Sequence, residues 1–267
     1  MKRAIIACLF GVFLCGGGLA QQMPSVQEFL EGLMRSPGKM PEYSRALQIM
    51  NQVASMSQSD VRAILPLIFE GLSYQQDAVK MHAALALHAV SLRPDSYVLL
   101  EPRLKDILAL LERGDSRLTM TVPAIVERMN VPRERVLPVF RRFVSDANQS
   151  AGAKAPLVCV LTKMDPRSAE TFRAITAFME QSMGTQERID ALNAIGCQPT
   201  DDENLIDLVI NSLNDADPHV RGAAIHVLGR FGEKGASRAS EQLTKIAGDP
   251  NEQEDVRKMA ERLLAKF

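Results

Sequence analysis

Apolar residues recur at spacings of three and four along most of this chain, the pattern of amphipathic helices. The stretch DPHVRGAAIHVLGRFG at 217–232 shows it most clearly. Its apolar positions are Val220, Ala224, Val227, Leu228 and Phe231, which share one helical face. Asp217 and Pro218 favour a helix start, and Gly229 and Gly232 favour a left-handed exit. The stretch therefore predicts one capped helix with a single buried face.

A small residue at the centre of that face predicts a repeat. The pattern Val220-Arg221 followed by Ala224 returns as Val256-Arg257 followed by Ala260. At steps of 33 to 39 residues the central position holds Ala46, Ala83, Val122, Ala155, Ala191, Ala224 and Ala260. A small side chain at the centre of a buried face suits a place where a neighbouring helix comes close. The recurrence therefore predicts stacked helices.

Each of these helices follows another amphipathic segment, such as VRAILPLIFEGL at 61–72 or RVLPVFRRFV at 135–144. Pro66, Pro102 and Pro138 stand in register in three of these first helices and predict a shared bend. The unit is helix, turn, helix, about 36 residues long, repeated seven times from about residue 24. Because no single pair can bury its own apolar face, the pattern predicts an all-α solenoid of about seven antiparallel helix pairs.

The second helices, above all DPHVRGAAIHVLGRFG and more loosely ERIDALNAIG at 187–196, resemble HEAT repeats. The form also found in bilin lyases is the most similar, and Leu65-Pro66 and Leu137-Pro138 match its first-helix pattern. The resemblance implies a right-handed superhelix whose second helices line a concave ridge. It favours a non-catalytic scaffold that binds a protein along this ridge. The alternative is an enzyme, or an enzyme subunit, of the bilin-lyase type.

Composition and charge narrow the function further. The chain is 46% hydrophobic and 24% charged, as globular proteins are, and aromatic residues make up only 5%. Its formal net charge of -1 gives no basic excess that would attract nucleic acid. We therefore expect a protein partner and no nucleic acid.

The first twenty residues, MKRAIIACLFGVFLCGGGLA, have the layout of a secretory signal. A basic start precedes an apolar run from Ala4 to Cys15, which is shorter than the roughly 20 residues of a membrane span. We predict cleavage after Ala20, a solenoid over 21–267 and a secreted or periplasmic protein without a stable membrane span. An uncleaved anchor and a lipidated Cys8 or Cys15 are the less favoured alternatives.

Two cysteines remain in the predicted mature chain, Cys159 and Cys197. The alanine register places Cys159 on the buried face and Cys197 beyond the end of its helix, so we expect free thiols. A single disulfide is the alternative, since export would permit one.

Basic residues follow the opening apolar site of several second helices. These are Lys80, Arg188, Arg221 and Arg257. We expect them to form a ladder of ion pairs between repeats with turn acids such as Asp77, Asp190, Asp217 or Asp255. A phosphate or carboxylate clamp is the less favoured alternative.

Histidines offer no convincing metal site. His219, His226 and Arg230 share one exposed stripe, but two helical turns separate the histidines. His82 and His88 diverge around their helix, and the acidic turns at 201–204, 214–217 and 249–255 are better explained as helix caps than as calcium loops. We therefore expect no metal and no cofactor. The candidate partner-binding residues on the ridge are Lys80, Arg117, His219, His226 and Arg230.

Overall fold

The computed structural model describes residues 25–35, 43–113 and 116–267, and every regular element in these ranges is helical. The predicted signal segment 1–20 and its cleavage site lie outside the described residues. Within them the prediction of an all-α solenoid is confirmed.

The helices alternate between two layers. The first helices of the pairs are α1 (Val26–Arg35), α3 (Gln58–Gly71), α5 (Ser96–Leu100) with α6 (Leu104–Ala109), α8 (Arg133–Ser145), α10 (Ala169–Gln181), α12 (Glu203–Asn211), and α14 (Gly232–Arg238) with α15 (Ser240–Gly248). The second helices are α2 (Tyr43–Ser55), α4 (Asp77–Ser91), α7 (Ser116–Met129), α9 (Ala151–Met164), α11 (Thr185–Ile195), α13 (Pro218–Arg230) and α16 (Glu254–Lys266). Each second helix packs against the next one along the chain, from α2 to α16, so the seven described pairs share one continuous core.

The caps of α13 follow the sequence prediction with one difference. The Asp217 carboxylate accepts a hydrogen bond from the His219 backbone N–H at 2.9 Å, and Pro218 is the first helical residue. The chain leaves the helix through Gly232, which has φ +74°. Gly229 stays inside the helix, where a Cβ would lie 3.4 Å from Leu263 of α16. Gly229 therefore allows close packing and does not form the exit.

The central small residues are buried as predicted in most repeats. The fully buried ones are Ala83, Val122, Ala191, Ala224 and Ala260. The side chain of Ala46 lies outside the described residues. Ala83 lies against Gly71 of α3, where a Cβ on the glycine would come within 2.9 Å of the alanine side chain. The small volumes of both residues let these two helices approach closely.

The predicted register is wrong by two residues in α9. Ser150 caps this helix by accepting from the Ala153 N–H. In the second helices capped by Gln76, Asp217 and Gln253, the opening apolar residue comes three positions after the cap. The same count in α9 gives Ala153, which is buried, with Leu157 at the centre, whereas Ala155 is only half-buried. The alternating alanines at 151, 153 and 155 hid the correct phase.

The three prolines of the first helices lie at different depths of their elements. Pro66 and Pro138 are inside α3 and α8. Pro102 instead lies in the 3-10 segment Glu101–Arg103, which separates α5 from α6. Only this proline interrupts the α-helix, because it coincides with a change of helical geometry.

The predicted ladder between repeats is present at Arg188 and Arg221, with different acids. Arg188 Nε lies 2.8 Å from Asp215 Oδ2. Arg221 donates through Nε and Nη2 to both oxygens of Glu252, each at 2.6 Å, and through Nη1 to the Asp215 carbonyl at 2.7 Å. Each arginine therefore reaches the turn before the next second helix. Lys80 lies 3.6 Å from Asp77 in its own helix.

The central alanine should tolerate little added volume. We expect Ala224→Leu to lower the free energy of unfolding by about 1–3 kcal/mol, because extra methyl groups would force α13 away from its neighbours. The exposed Ala265→Leu in α16 should change it by less than about 0.5 kcal/mol. Urea unfolding of both variants measures this, and equal effects would contradict the close-approach explanation.

The Arg221–Glu252 pair should give a defined pH dependence. Hydrogen bonds from Arg221 lower the pKa of Glu252 from its ordinary 4.5, so the pair stabilises the fold above that value. This contribution is lost as the pH falls through the lower folded-state pKa. We expect Arg221→Met to cost about 2 kcal/mol at pH 7 and clearly less at pH 3. A cost that stays constant in urea unfolding at both pH values would contradict this ion pair.

Candidate interaction surface

Over the last four pairs, the exposed ridge of the solenoid is formed by the positions nine and thirteen residues after the cap of each second helix. In the last four pairs these positions hold Cys159 and Lys163, Asn193 and Cys197, His226 and Arg230, and Arg262 and Lys266. None of these side chains is buried. The ridge residues of neighbouring helices lie beside one another because the helices pack side by side.

Between α13 and α16 the ridge carries a groove, here called the basic groove. It is lined by Ile225, His226, Gly229, Arg230, Met259, Arg262, Leu263 and Lys266. Its volume is about 340 Å³. Four of these side chains are basic and none is acidic, so the groove has a positive electrostatic potential at neutral pH.

The floor of the basic groove is apolar. Ile225 and Leu263 are almost fully buried beneath it, and Met259 is half-buried. Gly229 has no side chain and brings the backbone of α13 close to Leu263. At the rim, Arg230 Nη2 donates to the Cys197 carbonyl at 2.9 Å, while Lys266 lies 5.0 Å from the Phe267 ring. The groove thus combines an apolar floor with a cationic rim.

The corresponding space between α9 and α11 is bridged by a disulfide. Cys159 and Cys197 are bonded, with Cα atoms 5.7 Å apart. The expectation of free thiols was wrong because the two-residue error in α9 placed Cys159 on the buried face. In the correct register Cys159 occupies the ridge position that His226 holds in α13, and it faces the end of α11.

The structure brings together two of the five predicted partner-binding residues. His226 and Arg230 share the basic groove. His219 is exposed at the first turn of α13, outside the lining of the groove, and Lys80 lies beside Asp77 in α4. Arg117 belongs to α7, and its side chain is outside the described residues.

Arg262 and Lys266 were not among the predicted partner-binding residues, although the repeat carries a signal for them. They follow His226 and Arg230 by 36 residues, the step between the last two repeats. Applying the repeat to the exposed positions as well as the buried ones predicts all four basic residues of the groove.

The histidines of α4 have different surroundings. His82 is buried and contacts the Phe29 ring of α1, with ring centroids 5.4 Å apart. Burial and the nearby Arg128 lower the pKa of His88, whose Nδ1 lies 3.3 Å from Arg128 Nη1. In the described part of the chain no group of three or more His, Cys, Asp or Glu side chains is arranged to hold a metal ion.

The paired helices, the shared core and the ladder between repeats define an α-solenoid. Residues 172–265 of this solenoid match the family model of HEAT repeats. No curated protein matches the chain. An engineered protein, whose crystal structure was determined by the Northeast Structural Genomics Consortium, aligns with 91% of this chain and 98% of its own, at 14% identity and a TM-score of 0.31. That similarity is too low to support an argument about fold or function.

The bilin-lyase form of the repeat stays a prediction, since the match is to HEAT repeats in general. Among the described helices, none has the length and apolar character needed to cross a bilayer.

The disulfide should stabilise the solenoid measurably. It closes a chain segment with a sequence separation of 38 residues. We expect reduction to lower the free energy of unfolding by about 3 kcal/mol. Urea unfolding with and without a phosphine reductant measures the effect, and the Cys159→Ser/Cys197→Ser variant should not respond to the reductant. An equal response of both proteins would show that the bond contributes nothing.

Proposed function

We propose that this protein is a non-catalytic interaction scaffold that binds an acidic segment of a partner protein in the basic groove. HEAT repeats commonly serve as protein-interaction scaffolds, and the match covers both helices that form this groove. The observation that carries the proposal is the clustering of His226, Arg230, Arg262 and Lys266 over an apolar floor.

Charge supports an acidic partner. The chain as a whole has a net charge of -1, so four basic side chains without an acid among the lining residues are a local concentration. Such a patch increases the association rate with a negatively charged segment and disfavours basic ones. Arginine also binds carboxylates with two parallel hydrogen bonds, which suits Arg230 and Arg262 at the rim.

The apolar floor of the basic groove favours a partner segment that carries an apolar side chain beside its acidic ones. Ile225, Met259 and Leu263 offer an apolar surface between the two helices. Methionine adapts its shape to different apolar groups. We therefore expect an aliphatic or aromatic anchor flanked by Asp or Glu, a combination that uses both the floor and the rim.

We also propose that the protein is exported to the periplasm or secreted. The secretory layout of residues 1–20 and the predicted cleavage after Ala20 support this location. The Cys159–Cys197 disulfide supports it independently, because stable disulfides occur mainly in oxidising compartments. The partner is then a protein of the cell envelope or its surroundings.

A charge-reversal variant tests the scaffold proposal. Arg262→Glu/Lys266→Glu removes two rim cations that form no ion pair with other repeats among the described residues. We expect it to weaken the partner's binding at least about tenfold, because two attractive contacts become repulsive. The measurement is recovery of envelope proteins on the immobilised protein, followed by the dissociation constant of the recovered partner at low and high salt.

Arg62→Glu/Arg173→Glu is the matched control. It reverses two exposed arginines of the first helices α3 and α10, away from the ridge, and should leave binding unchanged. Equal binding by the wild-type protein and the groove variant, or a partner affinity that does not depend on salt, would contradict the proposal.

A further inference from the structure

Lys154 occupies the ladder position of α9. Arg188, Arg221 and Arg257 each come four residues after the cap of their helix, and Lys80 does the same in α4. The Ser150 cap gives Lys154 the same count. The two-residue error in the predicted register concealed this equivalence.

The acid that completes the ladder is replaced at this position. Asp215 and Glu252, the partners of Arg188 and Arg221, stand two residues and one residue before the next cap. The next cap after Lys154 is Gly184, and the equivalent residues are Ser182 and Met183. Neither has a carboxylate, so the turn that faces Lys154 does not supply the ladder's anion.

Lys154 is nevertheless buried, with 2% of its surface exposed. Its Nζ donates to Gln181 Oε1 and lies 5.7 Å from the centroid of the Phe178 ring. An ammonium group has three N–H donors, and the Gln181 oxygen is a neutral acceptor. Burial lowers the pKa of Lys154. A buried cation with a neutral acceptor is less stable than one that faces an anion.

A cavity of about 290 Å³ adjoins Lys154. Its lining includes Asn148, Gln149, Ser150, Gln181, Ser182 and Glu187. Because Asn148, Ser150 and Glu187 are exposed, the cavity opens to solvent. This volume is at the lower limit of ligand pockets and suits a small polar group.

The two acids nearest to this cavity already have donors of their own. Asp146 accepts from the Asn148 backbone N–H at 2.9 Å and from the side chains of Asn148 and Gln149. Glu187 Oε2 accepts from the backbone N–H groups of Met183 and Gly184, each at 3.1 Å. Both acids attract the Lys154 ammonium group from a distance. Among the described residues, however, no carboxylate lies within ion-pair distance of its Nζ, so the place of direct contact that the ladder acids occupy is open to an anion from outside.

We propose that the Lys154 cavity binds the carboxylate of an external ligand, which takes the place that Asp215 and Glu252 occupy in the later repeats. A carboxylate is favoured because the equivalent group is a carboxylate in both completed steps of the ladder. Asp146 and Glu187 oppose any anion in the cavity and oppose a dianion about twice as strongly, so a single negative charge is the one that Lys154 can hold. This site is separate from the basic groove and does not depend on the proposed function.

The test compares two probes, acetate and the blocked tripeptide acetyl-Gly-Glu-Gly-amide, with chloride at the same ionic strength. One readout is the thermal unfolding midpoint, and the other is the side-chain NMR signal of Lys154. We expect a probe at ten times its dissociation constant to raise the midpoint by about 3 °C over chloride and to shift the Lys154 signal. A response to acetate alone identifies a small acid as the ligand, and a stronger response to the tripeptide identifies a peptide side chain.

Three variants separate binding from general effects of salt. Lys154→Met should fold and lose the response. Ser182→Asp places a carboxylate where Asp215 stands relative to its cap, so it should unfold at a higher temperature than the wild-type protein and no longer respond. Lys163→Met removes an exposed lysine of the same helix and should keep the response. If neither probe shifts the midpoint or the Lys154 signal beyond chloride, or if Lys154→Met responds as the wild-type protein does, the proposal is wrong.

Discussion

Close packing of each second helix against the next is the constraint on which this solenoid depends. A single helix pair cannot bury its apolar face, so the face of α13 needs α11 on one side and α16 on the other. Ala224 is completely buried in α13, and Gly229 lets Leu263 of α16 pack close to the α13 backbone. The same small residues that bring the helices together also determine the distance between their exposed edges. The ridge and the basic groove are therefore consequences of the core.

Ion pairs join neighbouring repeats at their turns, whereas close packing of apolar side chains joins them in the core. Arg188 and Arg221 reach across to acids in the next turn, and Arg221 also binds backbone carbonyls of the turn before its own helix. The Arg221 side chain thus joins its own helix to the turn before it and to the turn before α16. Because these groups are largely shielded from solvent, a cation left without its anion has a clear energetic cost. Lys154 occupies the same position of its helix as Arg188 and Arg221. Comparison with these two arginines shows that Lys154 has no carboxylate of the described residues in direct contact.

Much of the fold could be predicted from the sequence, because buried positions repeat with the helical period and the caps are visible as Asp-Pro or Ser. The most consequential error lies in α9. Alanines at 151, 153 and 155 fit either phase of this helix, and only the Ser150 hydrogen bond decides between them. Through that choice the disulfide was not expected and Lys154 was left out of the predicted ladder. Two of the four basic residues of the groove were predicted. His226 and Arg230 lie in one helix, whereas Arg262 and Lys266 belong to the next second helix and were not connected with them.

The disulfide links two repeats that would otherwise separate independently. In a linear array each unit is held only by its neighbours, so fraying begins at the ends and travels inward one hairpin at a time. The Cys159–Cys197 bond ties the fourth pair to the fifth, near the middle of the array. Because the bond keeps α9 and α11 covalently joined, unravelling that starts at the α16 end gains less conformational entropy once it reaches the fifth pair. The oxidised molecule therefore resists separation of its central pairs more than the reduced molecule does.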